Sequence, residues 1–237
     1  MRLFCFPYAG SGANVFSSWA SYLPGVEVCG VELPGRGRRF SEALYRRLTP
    51  LAEAIAGLVR SHLGMPFALF GHSMGALLAF EVARRLRRDG QPEPVHLFVS
   101  GCRGPRLERR APRYDLSDHE FIEELRRLNG MPAEALAHAE FMETMLPIVR
   151  ADFETLDTYV YRAVRTLACP ITVFGGVQDH EAPSGDLDVW RQETSGPMSL
   201  HMLPGDHFFL DSARDLLLFC VSAELEAQVR IPERSRS

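Results

Sequence analysis

Short apolar runs alternate with amphipathic stretches along almost the whole chain. Leu3–Phe6, Val26–Val31, Phe67–Phe70, Val95–Ser100, Ile171–Phe174 and Met198–Leu203 are brief, largely apolar and bounded by polar or turn-forming residues, which predicts strands. Helical periodicity fills the gaps. Leu51, Ile55, Leu58, Val59 and His62 share one face of a segment that Thr49 would cap and Pro50 would open. A second helix is predicted over about Gly75 to Arg87 and a last one over about Ala213 to Gln228. Such alternation predicts an α/β protein with a mostly parallel central sheet flanked by helices.

The alternation breaks once, between Cys102 and Ala168, where helical patterns follow one another without a strand. Ser117 and Glu120 make a capping box ahead of Phe121, Ile122, Leu125 and Leu128, and a longer helix is expected over about Ala139 to Tyr161, kinked at Pro147. An insertion here lies above the carboxyl ends of the strands, where open α/β sheets bind ligands. We therefore expect one domain over residues 1–230, with a helical lid inserted at about 103–168 that shapes an apolar channel. The polar tail Ile231–Ser237 reads as disordered.

Composition narrows the function classes. With 237 residues, 46% of them hydrophobic, the chain can bury one large core. Its net charge of -4 offers no general attraction to nucleic acid, and no finger spacing or aromatic-basic RNA signature is present. Cys5, Cys29, Cys102, Cys169 and Cys220 are odd in number, scattered and without a C-x-x-C pair, so free thiols are expected rather than disulfides or a metal site. Met1–Phe6 runs directly into an apolar strand without the regions of a secretory signal, and no apolar stretch approaches the roughly 20 residues that cross a bilayer. These features point to a cytoplasmic protein with neither nucleic acid nor membrane as partner. All 26 basic residues are arginine.

The chemistry centres on Gly71-His72-Ser73-Met74-Gly75. The pentapeptide recurs by chance, but here an apolar strand precedes it and an Ala-rich helix follows, the setting of a nucleophile elbow in an α/β-hydrolase fold. The sharp turn needs neighbours without side chains two residues either side of the serine. A serine hydroxyl needs a histidine to take its proton, and that imidazole needs a carboxylate to hold its tautomer. In chain order Ser, Asp, His, the loop after Ile171–Phe174 supplies Asp179 and the loop after Met198–Leu203 supplies His207. Asp186 and Asp188 lie further on, entering a helix; His201 is within a strand, His180 adjoins the candidate acid, and His72 lies in the turn itself. A tetrahedral oxyanion needs two donors. The backbone N–H of Met74 is one candidate and that of Ala9, in the loop Pro7-Tyr8-Ala9-Gly10-Ser11-Gly12, the other, with Tyr8 as neighbouring alternative. That loop lacks the lysine and spacing of a phosphate cradle.

With these residues placed, the sequence resembles the type II thioesterases that accompany polyketide synthases and nonribosomal peptide synthetases. The resemblance rests on Phe6-Pro7-Tyr8-Ala9-Gly10, Glu32-Leu33-Pro34-Gly35-Arg36, the elbow, Leu146-Pro147-Ile148-Val149-Arg150-Ala151-Asp152 and Gly205-Asp206-His207-Phe208-Phe209. It implies a Ser73, Asp179, His207 triad and inserted helices that close over an acyl chamber. It further implies an editing enzyme without metal or organic cofactor, and we expect a monomer. Such an enzyme hydrolyses stalled or wrong acyl groups from the phosphopantetheine arm of an acyl or peptidyl carrier protein through an acyl-serine. Ala9-Gly10-Ser11-Gly12 departs from the family's usual Ala-Gly-Gly. Arginine clusters stand at Arg36, Arg38 and Arg39, at Arg84, Arg85, Arg87 and Arg88, and at Arg103, Arg106, Arg109 and Arg110. None is assigned as a carrier-docking site, because arginines ending the elbow helix also complement its dipole. A carboxylesterase or lipase and an acyltransferase use the same triad; a noncatalytic ligand-binding protein of this fold can dispense with it.

Overall fold

Six strands form one sheet in the order β2-β1-β3-β4-β5-β6. They are β1 (Arg2–Phe6), β2 (Glu27–Gly30), β3 (Phe67–His72), β4 (His96–Ser100), β5 (Ile171–Gly176) and β6 (Met198–Leu203). Every pairing is parallel. This computed structural model describes residues 1–230, so the tail expected to be disordered, 231–237, lies outside the described residues.

The central strands β3, β4 and β5 are buried along their whole length because both faces of the sheet are covered, whereas the edge strands β2 and β6 are only partly buried. Phe4, Phe6, Leu69, Leu97, Val99, Ile171 and Val173 pack with α1 (Leu48–Arg60) and α2 (Met74–Arg88). The alternate residues Leu3, Cys5, Ala68, Phe70, Phe98 and Phe174 pack with Phe16 and Trp19 and with α8 (Arg214–Arg230) through Leu217, Leu218 and Val221. This is the helix-flanked parallel sheet expected of an α/β-hydrolase. The chain leaves β1 for β2 on one side and returns to β3 on the other, so the order in which strands are added reverses at β1. The carboxyl ends of β1 and β3 are neighbours, with Phe6 opposite Gly71. That switch point opens the crevice in which the candidate site lies.

Helix α1 begins one residue before the expected cap. Arg47 is its N-cap, without a side-chain capping bond, and Thr49 lies inside the first turn. Burial of Leu48 at 2% exposure draws the turn inward. Pro50 is tolerated there because the first four helical N–H groups have no intrahelical acceptor.

Between β4 and β5 lie α3 (Asp118–Arg127), the short α4 (Ala133–Ala137) and α5 (Ala139–Asp157). The Ser117–Glu120 capping box closes in both directions. Helix α5 continues through Pro147 and stops at Asp157, before the expected Tyr161. Phe121, Leu125, Leu136, Met142, Val149 and Phe153 form a separate cluster in this segment, with Phe121 and Phe153 meeting edge to face at 5.2 Å. Two short helices complete the chain, α6 (Ser184–Asp188) and α7 (Phe209–Ser212). Among the described residues no helix is long and apolar enough to cross a membrane. The five cysteines are unpaired; Cys5, Cys102 and Cys169 are buried.

Candidate active site

Ser73 joins β3 to α2 with φ 53° and ψ -117°, a left-handed conformation rare for a side-chain-bearing residue and costing about 1–3 kcal/mol. The flanking glycines make that turn possible. A Cβ on Gly71 would lie 2.1 Å from the Gly75 carbonyl oxygen, and one on Gly75 would lie 2.1 Å from the Phe6 carbonyl oxygen. The Ser73 N–H donates to Ser100 O at 2.8 Å, tying the turn to the end of β4.

His207 follows β6 on a loop turned by Gly205 at φ 121°. Its Nε2 is 3.0 Å from Ser73 Oγ and its Nδ1 is 2.8 Å from Asp179 Oδ2. Asp179, in the loop after β5, is 5% exposed, and its Oδ1 accepts the N–H groups of Glu181 at 2.8 Å and Ala182 at 3.2 Å. One carboxylate oxygen is thus held by backbone while the other faces the imidazole. Nδ1–H donates to that carboxylate, which leaves Nε2 free to accept the serine proton. The three residues come from three strand ends and from 134 positions of chain separation, and they meet in one line of hydrogen bonds.

The rival side chains have other partners. Asp186 binds Arg103 at 2.6 Å and Asp188 binds Arg191 at 3.0 Å. His201 stacks on Phe174 in the sheet, and His180 is exposed. His72 is fully buried beneath the site, with Nδ1 2.9 Å from Ser100 Oγ. Burial, reinforced by neighbouring His207, pushes its pKa well below the usual imidazole value. It is a neutral structural ring. Gly101, at φ 57°, exists to clear it, since a Cβ there would come within 2.7 Å of His72 Cε1.

Met74 opens α2, so its N–H sits at the positive end of the helix dipole. Tyr8 O accepts the Ser11 N–H at 3.1 Å, closing a turn whose third residue, Gly10, has φ 78°, as a type II turn requires. Gly10 N–H is already engaged by Asp152 Oδ2 at 2.8 Å. Neither Ala9 N–H nor Met74 N–H has an acceptor among the described residues.

A chamber of about 430 Å³ opens above Ser73 and His207. Its walls are mostly apolar and come largely from the segment between β4 and β5, with Leu125, Leu128, Phe141, Met145, Val149 and Phe153 among them. Four arginines also line it. Arg103 pairs with Asp186 and Arg110 and Arg113 pair with Glu181, whereas Arg109 has no carboxylate partner among the described residues and lies over the Tyr159 ring.

Sequence reasoning passed over one pair at this site. Arg36 Nη1 and Nη2 donate to Asp152 Oδ2 and Oδ1, both at 2.8 Å, and Nη1 also donates to Ser11 O at 2.9 Å. Lying 116 positions apart, the two residues carry no local signal of their pairing.

Comparison with known proteins places the chain among thioesterases. The Thioesterase domain family matches residues 1–223. The gramicidin S biosynthesis protein GrsT of Aneurinibacillus migulanus is 44% identical over 89% of this chain and 83% of its own length. The structure of RedJ, a thioesterase from the prodiginine biosynthetic pathway in Streptomyces coelicolor, superposes with a TM-score of 0.91 at 42% identity, covering 94% of this chain and 90% of that one. That of BorB, the type II thioesterase from the borrelidin biosynthetic cluster, gives 0.87 at 34% identity over 94% and 92%. On sequence and structure alike, the chain belongs to the thioesterase domain family.

Proposed function

We propose that this chain is a type II thioesterase that hydrolyses acyl groups from the phosphopantetheine thiol of acyl or peptidyl carrier proteins, clearing stalled or wrong acyl chains from a synthase. The observation that carries the reading is the hydrogen-bonded line Ser73, His207, Asp179 beneath an apolar chamber. Relatives that serve gramicidin S, prodiginine and borrelidin assembly support the carrier-bound substrate.

In this reading Ser73 Oγ attacks the thioester carbonyl while His207 Nε2 takes the hydroxyl proton. The N–H groups of Met74 and Ala9 hold the resulting oxyanion, each lowering the barrier by about 3 kcal/mol. The intermediate collapses with loss of the pantetheine sulfur, which leaves as a thiol carrying the proton from His207, and the acyl group remains on Ser73. Water, deprotonated by His207, then attacks the ester. The free acid departs and Ser73 regains its proton. Asp179 keeps the imidazole in the tautomer both halves need. The chain has no call on metal or organic cofactor in this cycle, since each step is a proton or acyl transfer among these groups. Residues 103–168 act as the lid, and the enzyme works as a cytoplasmic monomer.

The test compares turnover of an acyl-carrier protein with that of simple oxygen esters of the same acyl group, with an alcohol or amine present to reveal transfer. Preferential release of free acid from the carrier is expected, with an acyl adduct on Ser73 seen by mass spectrometry. Ser73→Ala should lower kcat about 10⁶-fold while leaving the melting temperature near that of the parent. Preferred ester cleavage, or acyl transfer in place of hydrolysis, would overturn the assignment.

A further inference from the structure

We infer that Arg36 and Asp152 are positioning residues that aim the Ala9 N–H at the oxyanion and link the inserted helix α5 to that donor. The inference rests on the proposed thioesterase chemistry at Ser73. Its starting point is the buried bidentate pair, Asp152 at 3% and Arg36 at 8% exposure. Desolvating two charges offsets most of their attraction, so a pair of this kind adds little net stability. What it does supply is direction.

The direction follows from the planarity of the peptide. Tyr8 O accepts from Ser11 N–H at 3.1 Å and from Ser11 Oγ–H at 2.7 Å. Because the C=O and N–H of a trans peptide point opposite ways, fixing Tyr8 O fixes Ala9 N–H on the other side of the strand end. The turn is then held at two further polar groups. Asp152 accepts from Gly10 N–H, which sets the central peptide of the turn, and Arg36 donates to Ser11 O, which anchors its last residue. A Cβ on Gly10 would meet Val149 Cγ2 at 2.9 Å, so the turn also lies directly against α5.

Val149 and Asp152 are three residues apart and therefore share a face of α5. Val149 lines the acyl chamber as well. The helix that meets the acyl chain is thus the helix that holds the turn. In Asp152 the segment between β4 and β5 supplies the acceptor that holds the turn carrying the Ala9 donor.

The experiment is a double-mutant cycle. Arg36→Met combined with Asp152→Leu removes both charges together and leaves neither buried alone; Asp152→Asn keeps an oxygen acceptor for Gly10 and serves as the milder variant. Ala9→Pro deletes the donor itself at a turn position where proline is favoured. In the parent background the Arg36/Asp152 double variant should lower kcat about 100-fold with KM within about threefold, a loss of the size found when one oxyanion donor is removed. Asp152→Asn should lose about tenfold. Affinity for an alkyl boronic acid, which forms a tetrahedral oxyanion on Ser73, should fall in the same proportion. In the Ala9→Pro background the same double change should cost under threefold more, because the group it positions is gone. A loss that persists undiminished beside Ala9→Pro would overturn the inference, as would a folded variant with parental kcat and boronate affinity. The boronate measurement needs no carrier protein, so failure of this inference stays distinct from failure of the thioesterase reading.

Discussion

The elbow and the helices between β4 and β5 are neighbours across the same chamber and are built on different principles. The turn at Ser73 is held by backbone-to-backbone approaches: Gly71 on Gly75, Gly75 on Phe6, and the Ser73 N–H on Ser100 O. Between β4 and β5 the segment has its own small core around Phe121 and Phe153, and arginine-carboxylate pairs join it to the body. Arg127 of α3 and Arg113 reach Glu181 beside Asp179, while Arg46 and Arg47 reach Glu154 of α5. A serine held in a strained conformation needs surroundings that cannot yield. The helices between β4 and β5 are instead held by side-chain pairs in which a largely buried carboxylate, Glu181 or Glu154, meets more exposed arginines.

The comparison breaks first at Gly75. Gly75→Ala places a Cβ 2.1 Å from Phe6 O and 2.6 Å from Pro7 O, with no flexible side chain to give way. We expect a loss of about 4 kcal/mol or more in a denaturant titration, together with activity reduced beyond about 1,000-fold. Parental stability would mean that the elbow has slack.

Phe153→Ala tests the other side. Phe153 is 6% exposed, packs on Phe121 and lines the chamber. Truncation should cost about 3 kcal/mol, since buried Phe→Ala changes run about 3–5. It should also shift kcat/KM about tenfold toward bulkier acyl chains. If short and bulky chains are affected alike, the helices between β4 and β5 do not measure the acyl group.

The smallest effect concerns acid. Burial of His96, bonded to Thr172 Oγ1 at 2.8 Å, pulls its pKa down to about 4, below the unfolded value of about 6.5. Its contribution is therefore whole above pH 6.5 and is lost as pH falls toward 4, by up to about 3 kcal/mol. Glu181 behaves differently. Burial alone would raise its pKa, but Arg127, Arg113 and Arg110 outweigh burial and hold it at about 2, so its tether persists until pH falls from about 4.5 toward 2. The body should thus weaken at milder acidity than the link to α3, and His96→Gln should flatten the stability profile between pH 6.5 and 4. Melting curves across that range check it; an unchanged slope would remove His96 from the account.

Much of this site was legible from residues alone, for local reasons. Each of the six strands announced itself as an apolar run, and the Gly-x-Ser-x-Gly turn carries its steric demand in its own five residues. Asp179 and His207 could be named because each follows a strand in the required chain order. What stayed hidden was non-local. The α1 boundary moved because Leu48 is buried, and α5 ended early, before the expected Tyr161. Arg36 and Asp152 gave no sign of each other.

By itself, then, the sequence determined the class of fold, the strained turn at Ser73 and the residue types able to serve it, because strand periodicity, glycine spacing and strand-end loops are properties of short windows. Tertiary structure decided the strand order that makes β1 and β3 neighbours, the 3.0 Å approach of His207 to Ser73, and the buried pair that joins α5 to the turn after β1. Those contacts come from sheet pairing and from burial. Both depend on where the whole chain has gone.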